Sequence, residues 1–185
     1  MIVKIDGGAI RNSLIARNAS SFLAPVKIAD GAVMDNCTVI SNRNDSTKAY
    51  TVNNGNPAVY INHTGGMKVD GSAKVRNTLV DGNWSTKGAC VSNLNWTVAS
   101  GVFTKTVAND RPGLEEYGLL TGRVLLRRNP AYTPRMSAVM TDNGEKLEWM
   151  TSGSVDLYGN HRVYRRTPDI GAVENQSGGF AIILR

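Results

Sequence analysis

Glu115 and Glu116 are adjacent carboxylates, and a glycoside hydrolase needs two carboxylates facing one groove. Neighbouring side chains on a strand point to opposite faces, so this pair reads as solvated loop charge. Elimination from a uronate needs a Lys or Arg to take the proton and a cation to neutralise the carboxylate. Lys105, Arg111, Arg127 and Arg128 have the right type, but their spacing singles out no base. Trp84, Trp96, Trp149 and Tyr117 have faces on which a sugar could stack, the alternative being that each covers a patch of surface. His63 and His161 stand alone, and Cys37 and Cys90 cannot form a Cys-x-x-Cys pair, so neither metal nor cofactor is expected. Whether the two cysteines are bonded is a question of geometry.

These groups must be positioned by short strands. Gly (19) is abundant, Asn, Ser, Thr and Val recur, and candidate helical stretches are scarce. No apolar run of about 18 residues is present to span a membrane, and Met1 to Ile10 lacks a signal-peptide core. The net charge of +6 would suit an anionic partner. Basic residues are scattered except at Arg127-Arg128 and Arg162 to Arg166, and aromatics are only 6%, which argues against nucleic acid.

One phrase occurs three times: Ile10 through Asn12, Ser13 and Ile15 to Asn18; Met34 through Asn36, Cys37 and Val39 to Asn42; Val75 through Asn77, Thr78 and Val80 to Asn83. The spacing corresponds to periods of roughly 20 residues, the range of stacked solenoid repeats. Alternation puts Ile10, Met34 and Val75 in one interior column and Ile15, Val39 and Val80 in another, with Ser13, Cys37 and Thr78 as a small-residue column. Asn12, Asn36 and Asn77 fall where the strand bends, in a left-handed backbone that Asn tolerates, and their amides could form a ladder. Cys37 then reads as a buried free thiol. Leucine-rich repeats lack support here, while a β-sandwich also fits the turn spacing. Val124 to Leu126 and Ser137 to Met140 read as strands, and Val91 to Val98 as a degraded coil. The 104–118 segment reads as an inserted loop.

The tail Asp156-Leu157-Tyr158-Gly159-Asn160-His161-Arg162, followed by Asp169-Ile170-Gly171-Ala172-Val173-Glu174, resembles the closing signature of secreted bacterial right-handed parallel β-helix proteins of the pectate-lyase-like superfamily. Such endings read Asp-x-x-Gly-x-x-Arg, then Asp-Ile-Gly-Ala-aromatic-Glu; Val173 replaces the aromatic. Ser137 to Gly144 resembles the family's Ser-Pro-x-Ile-Asp-x-Gly, with Ala138 for Pro and Thr141 extra. The resemblance implies an all-β, right-handed single-stranded parallel β-helix of about five to seven coils. It also implies one domain over 1–185, the C-terminal part of a longer secreted protein, with 137–174 as its closing segment. Asp156, Arg162, Asp169 and Glu174 are then structural, Arg162 closing the tail through a bidentate guanidinium–carboxylate pair.

The expected function is a secreted or cell-surface, adhesin-like module that binds a glycan or host matrix without catalysis. Trp84, Trp96, Arg111, Glu115 and Tyr117 are the binding candidates. The alternatives are a lyase or hydrolase acting on an acidic polysaccharide, and a structural stalk or cap. Self-association or a neighbouring domain is expected at the N-terminal end, because open strand edges need covering.

Overall fold

The computed structural model describes residues 3–20, 26–44, 67–69, 72–85, 103–108, 119–128, 131–136 and 138–176. Every regular element among them is a strand. The stretch that carries the first phrase comprises β1 (Val3–Ile5), β2 (Ala9–Arg11), β3 (Leu14–Ala16) and β4 (Ala19–Ser20). The stretch that carries the second comprises β5 (Val26–Ile28), β6 (Val33–Asp35), β7 (Thr38–Ile40) and β8 (Arg43–Asn44). The stretch that carries the third comprises β9 (Met67–Val69), β10 (Lys74–Arg76), β11 (Leu79–Asp81) and β12 (Trp84–Ser85). After these come β13 (Phe103–Thr104), β14 (Thr106–Ala108), β15 (Leu119–Leu120) and a hairpin of β16 (Leu126–Arg128) with β17 (Ala131–Pro134).

Strands of successive copies pair side by side. Four sheets run β1-β5-β9, β13-β10-β6-β2, β15-β14-β11-β7-β3 and β12-β8-β4, all parallel, and the antiparallel hairpin makes a fifth. The fold is therefore all-β with mostly parallel pairing, in separate sheets that do not close on themselves. Register aligns Ile10 with Met34 and Val75, and Ile15 with Val39 and Val80. Met34, Val39 and Val75 are fully buried in one apolar cluster. Burying each such side chain contributes about 1.5–3 kcal/mol, and β-branched residues at these positions also suit the strand.

Asn12, Asn36 and Asn77 turn between consecutive strands at φ 47, 48 and 49. The expected amide ladder is weak in this row, where Asn77 Nδ2 lies 3.4 Å from Asn36 Oδ1. The other asparagine of the phrase makes the stronger one. Asn18 Nδ2 donates to Asn42 Oδ1, and Asn42 Nδ2 to Asn83 Oδ1, both at 2.9 Å, and the backbone N–H groups of Asn18 and Asn42 donate to the same oxygens. Asn42 and Asn83 are fully buried, so the ladder satisfies groups that water cannot reach.

Three expectations need correction. The insertion does not begin at 104: Phe103 pairs with Val75 and Val107 with Leu79, so Phe103–Ala108 is a fourth copy. Lys105 there adopts φ 47 in place of asparagine, and that substitution hid the copy. Secondly, Ala138–Met140 is turn, because its apolar side chains pack against the sheet instead of pairing along it. Thirdly, Val124 and Leu125 precede the strand, which starts at Leu126. Val91 to Val98 and the rest of the supposed loop, 109–118, lie outside the described residues.

A second apolar cluster joins Leu79 and Val107, on β11 and β14, to Ala138, Met140 and Ile170 of the C-terminal segment. The sheet that ends at β15 is thus buried on both faces, which accounts for the continuous apolar character of Leu79–Val80. We expect Asn42→Ala, which orphans the Asn18 donors and removes the side-chain donor to Ile15 O and Asn83 Oδ1, to destabilise the protein by at least about 2 kcal/mol in denaturant unfolding. An exposed Asn→Ala control should stay within about 0.5 kcal/mol.

Candidate functional site

The corner row is where the C-terminal segment docks. Asn12 Nδ2 donates to Val155 O at 2.8 Å, Asn36 Nδ2 to Asp169 O at 3.2 Å and Asn77 Nδ2 to Glu145 O at 2.7 Å. Asn77 Oδ1 accepts from Glu145 N at 2.8 Å, while Gly171 N donates to Asn77 O. Lys105, in the fourth copy, reaches Asn143 Oδ1 at 3.4 Å. Ala172 N donates to Thr38 Oγ1. The approach is close enough to demand glycine twice. A Cβ on Gly144 would lie 2.6 Å from Pro168 O, and one on Gly171, where φ is 108°, would lie 2.9 Å from Thr38 Oγ1.

Within this segment, the expected bidentate pairing of Arg162 is not what forms. Arg162 is fully buried, and its Nη2 donates to the carbonyls of Asp169 and Gly171 at 2.7 Å each, with Glu174 Oε2 at 3.8 Å. The carboxylates instead hold backbone N–H groups. Asp156 accepts from Tyr158, Asn160 and Glu174; Asp169 from Asp142 and Asn175; Glu174 from Asp169 and Tyr164. Buried backbone donors need partners, and three short acidic side chains supply them where no strand does. Nε and Nη1 of Arg162 make no hydrogen bond among the described residues.

Burial lifts the Asp169 carboxyl to about 6 and, with the charge of Asp169 added, that of Glu174 to about 8. Burial likewise lowers Arg162 from its ordinary value. Cys37 is a buried free thiol whose Sγ lies 3.2 Å from Asp35 O; burial pushes it up to about 12, which removes it as a nucleophile. Cys90 lies outside the described residues. Asp35, itself fully buried, is bridged by Arg76 at 2.7 Å, and Arg76 also binds Glu148 at 2.9 Å. Hydrogen bonding to Asp35 raises Arg76, and hydrogen bonding to Arg76 lowers Glu148. The carboxylates of Asp35, Asp156, Asp169 and Glu174 are therefore engaged inside the protein, and none is presented to a ligand as a base.

A surface of different character lies at the hairpin. Residues 117–141 contain four arginines and no Asp, Glu or Lys. Leu126, Arg127, Arg128, Arg135 and Met136 line an open groove of about 610 Å³. Its floor is held by Arg135 N donating to Leu125 O at 2.9 Å and by Tyr158 Oη donating to Ala131 O at 2.9 Å, which ties the hairpin to the tail. Met136 is 59% exposed and also borders a small depression with Tyr164 and Arg165. Among the described residues, Arg128 and Arg135 make no ion pair.

Of the binding candidates, Trp96, Arg111, Glu115 and Tyr117 lie outside the described residues, and Trp84 is placed only as a residue of β12. Trp149 is half-buried beneath Arg11, whose guanidinium carbon is 5.2 Å from the ring centroid. Arg127 and Arg128, considered as lyase cations, do come together with Arg135 and Met136. The acid-free run of 117–141 was the signal that would have identified this group. No protein-family model, curated protein or solved structure matches the chain.

The raised carboxyls fix a pH dependence. The folded protein retains protons that the unfolded chain releases near ordinary carboxyl values, so stability from this source is complete at low pH and is lost as pH rises through about 6 and then about 8. We expect the melting temperature to fall between about pH 5 and about pH 9, with the upper part of that fall flattened in Glu174→Gln. A melting curve independent of pH over this range, or an unchanged profile in the variant, contradicts the assignment.

Proposed function

We propose that the chain is a right-handed parallel β-helix module that captures an anionic glycan non-covalently, without transforming it. The β-helix reading is supported by in-register parallel pairing of successive copies in four sheets, by corners of repeated φ and by the Asn18–Asn42–Asn83 ladder. Its hand follows from the general right-handedness of parallel crossovers. The resemblance of the tail to secreted β-helix proteins supports a cell-surface or extracellular location.

The observation that carries the binding function is the arginine-lined hairpin groove. Guanidinium groups form paired hydrogen bonds with carboxylates and sulfates, and Arg holds its charge at any working pH. Leu126 and Met136 add an apolar surface for the C–H face of a sugar ring. None of the five lining residues is a carboxylate or histidine that could act as general acid or base, which favours capture over turnover.

The test is retention on immobilised polygalacturonate, a sulfated glycan and a neutral glucan, with unsaturated products and reducing ends measured in parallel. Retention on the acidic glycans should fall about tenfold or more in an Arg128→Gln, Arg135→Gln double variant, with no product formed. Product formation abolished by changing a groove residue would replace this reading with the lyase or hydrolase alternative. Absence of retention on every glycan would refute it.

A further inference from the structure

The arginine-lined groove does not end at Met136. That side chain is also one wall of a smaller depression, completed by Thr141, Asp142, Tyr164, Arg165 and Asn175. The two are held in fixed relation, because Thr141 Oγ1 donates to Arg135 O at 2.6 Å. Further hydrogen bonds fix the walls of the depression. Asp169 accepts from Asp142 N at 2.7 Å and from Asn175 N at 2.6 Å, and Thr167 Oγ1 donates to Asp142 O at 2.9 Å. The depression is thus organised before a ligand arrives, which lowers the cost of binding one.

Charge distinguishes the two neighbours. The groove is lined by Arg127, Arg128 and Arg135 with no acid, whereas the depression carries one exposed group of each sign, Asp142 and Arg165. The Arg165 guanidinium lies over the Tyr164 ring, 5.6 Å from its centroid, so the depression offers hydrogen bonds more than a bare stacking face. Its volume of about 30 Å³ matches the share of one water in the liquid, which suits a hydroxyl or hydroxymethyl group and excludes a whole ring. Building on the groove's role in glycan capture, we infer that the captured glycan alternates acidic with uncharged sugar units. The acid lies on Arg128 and Arg135, and the uncharged neighbour crosses Met136 and places a hydroxyl-bearing group in the depression. There Asp142 accepts from a sugar hydroxyl and Arg165 donates to a sugar oxygen. A second carboxylate or sulfate would meet Asp142, with Arg165 only cancelling the repulsion. Met136 supplies an adaptable apolar contact between the two units.

The probes are a hyaluronan hexasaccharide, with a carboxylate on every other ring, and a galacturonate hexamer, with one on every ring. Each is titrated calorimetrically into the whole protein at one ionic strength. Unselective attraction to the arginines ranks the galacturonate hexamer first, because its charge is denser. The depression reverses that order, and the alternating oligomer should bind about fivefold tighter. Asp142→Asn, which suits the left-handed φ of 53 at this position, removes the repulsion. It should tighten galacturonate binding by about fivefold and leave the alternating oligomer within about twofold, while Arg165→Gln should weaken galacturonate binding further. Galacturonate binding as tight as or tighter than that of the alternating oligomer, or a preference unmoved by Asp142→Asn, overturns the alternation. If binding in that case is still lost in the Arg128→Gln, Arg135→Gln variant, capture by the groove stands without it. Binding of neither oligomer overturns both.

Discussion

A row of left-handed corners, Asn12, Asn36, Asn77 and Lys105, is the constraint on which the rest of this protein depends. Holding a residue with a Cβ in that conformation costs about 1–2 kcal/mol, and each corner must be repeated in register for the strands on either side to pair. Asparagine lowers the cost and offers an amide in return. The amide N–H groups of Asn12, Asn36 and Asn77 donate to the main chain of the C-terminal segment. The turn between two strands and the docking of the tail are thus one arrangement, in which Asn77 engages its backbone and its side chain together.

The tail follows from this. Once its carbonyls are fixed against the corners, its own N–H groups are buried and need acceptors, and Asp156, Asp169 and Glu174 provide them. Burial of the site raises the free energy of the ionised forms of Asp169 and Glu174, partly relieved by Arg162. Arg162 and the corner residues therefore belong to the same seal, although they are far apart in sequence. The second apolar cluster lies under that seal, so Leu79 and Val107 are protected only while the tail is in place.

The strand columns were legible from sequence because a two-residue alternation and a repeated asparagine are local signals: Met34, Val39 and Val75 take the positions that alternation assigns them. The fourth copy was not legible, since Lys105 occupies an asparagine position and the conformation, not the residue type, is what repeats. Nor was the partner of the corner amides. A ladder between equivalent asparagines was the simplest expectation, but the tail competes for the same donors at shorter distance, leaving the ladder to Asn18, Asn42 and Asn83. The hairpin groove was half legible: Arg127 and Arg128 are adjacent in sequence, whereas Arg135 joins them only through the antiparallel return of β17.

The central claim is that the corner side chains hold the tail. Asn77→Gly separates this role from that of the backbone, because glycine keeps the left-handed φ and removes only the amide. Native-state hydrogen exchange of Glu145 N–H, which donates to Asn77 Oδ1, is the most direct measurement. Protection of Glu145 should match that of the β11 and β14 amides in the parent protein and drop selectively in Asn77→Gly. Rapid exchange of Glu145 in the parent, or protection unchanged by the substitution, would contradict the account.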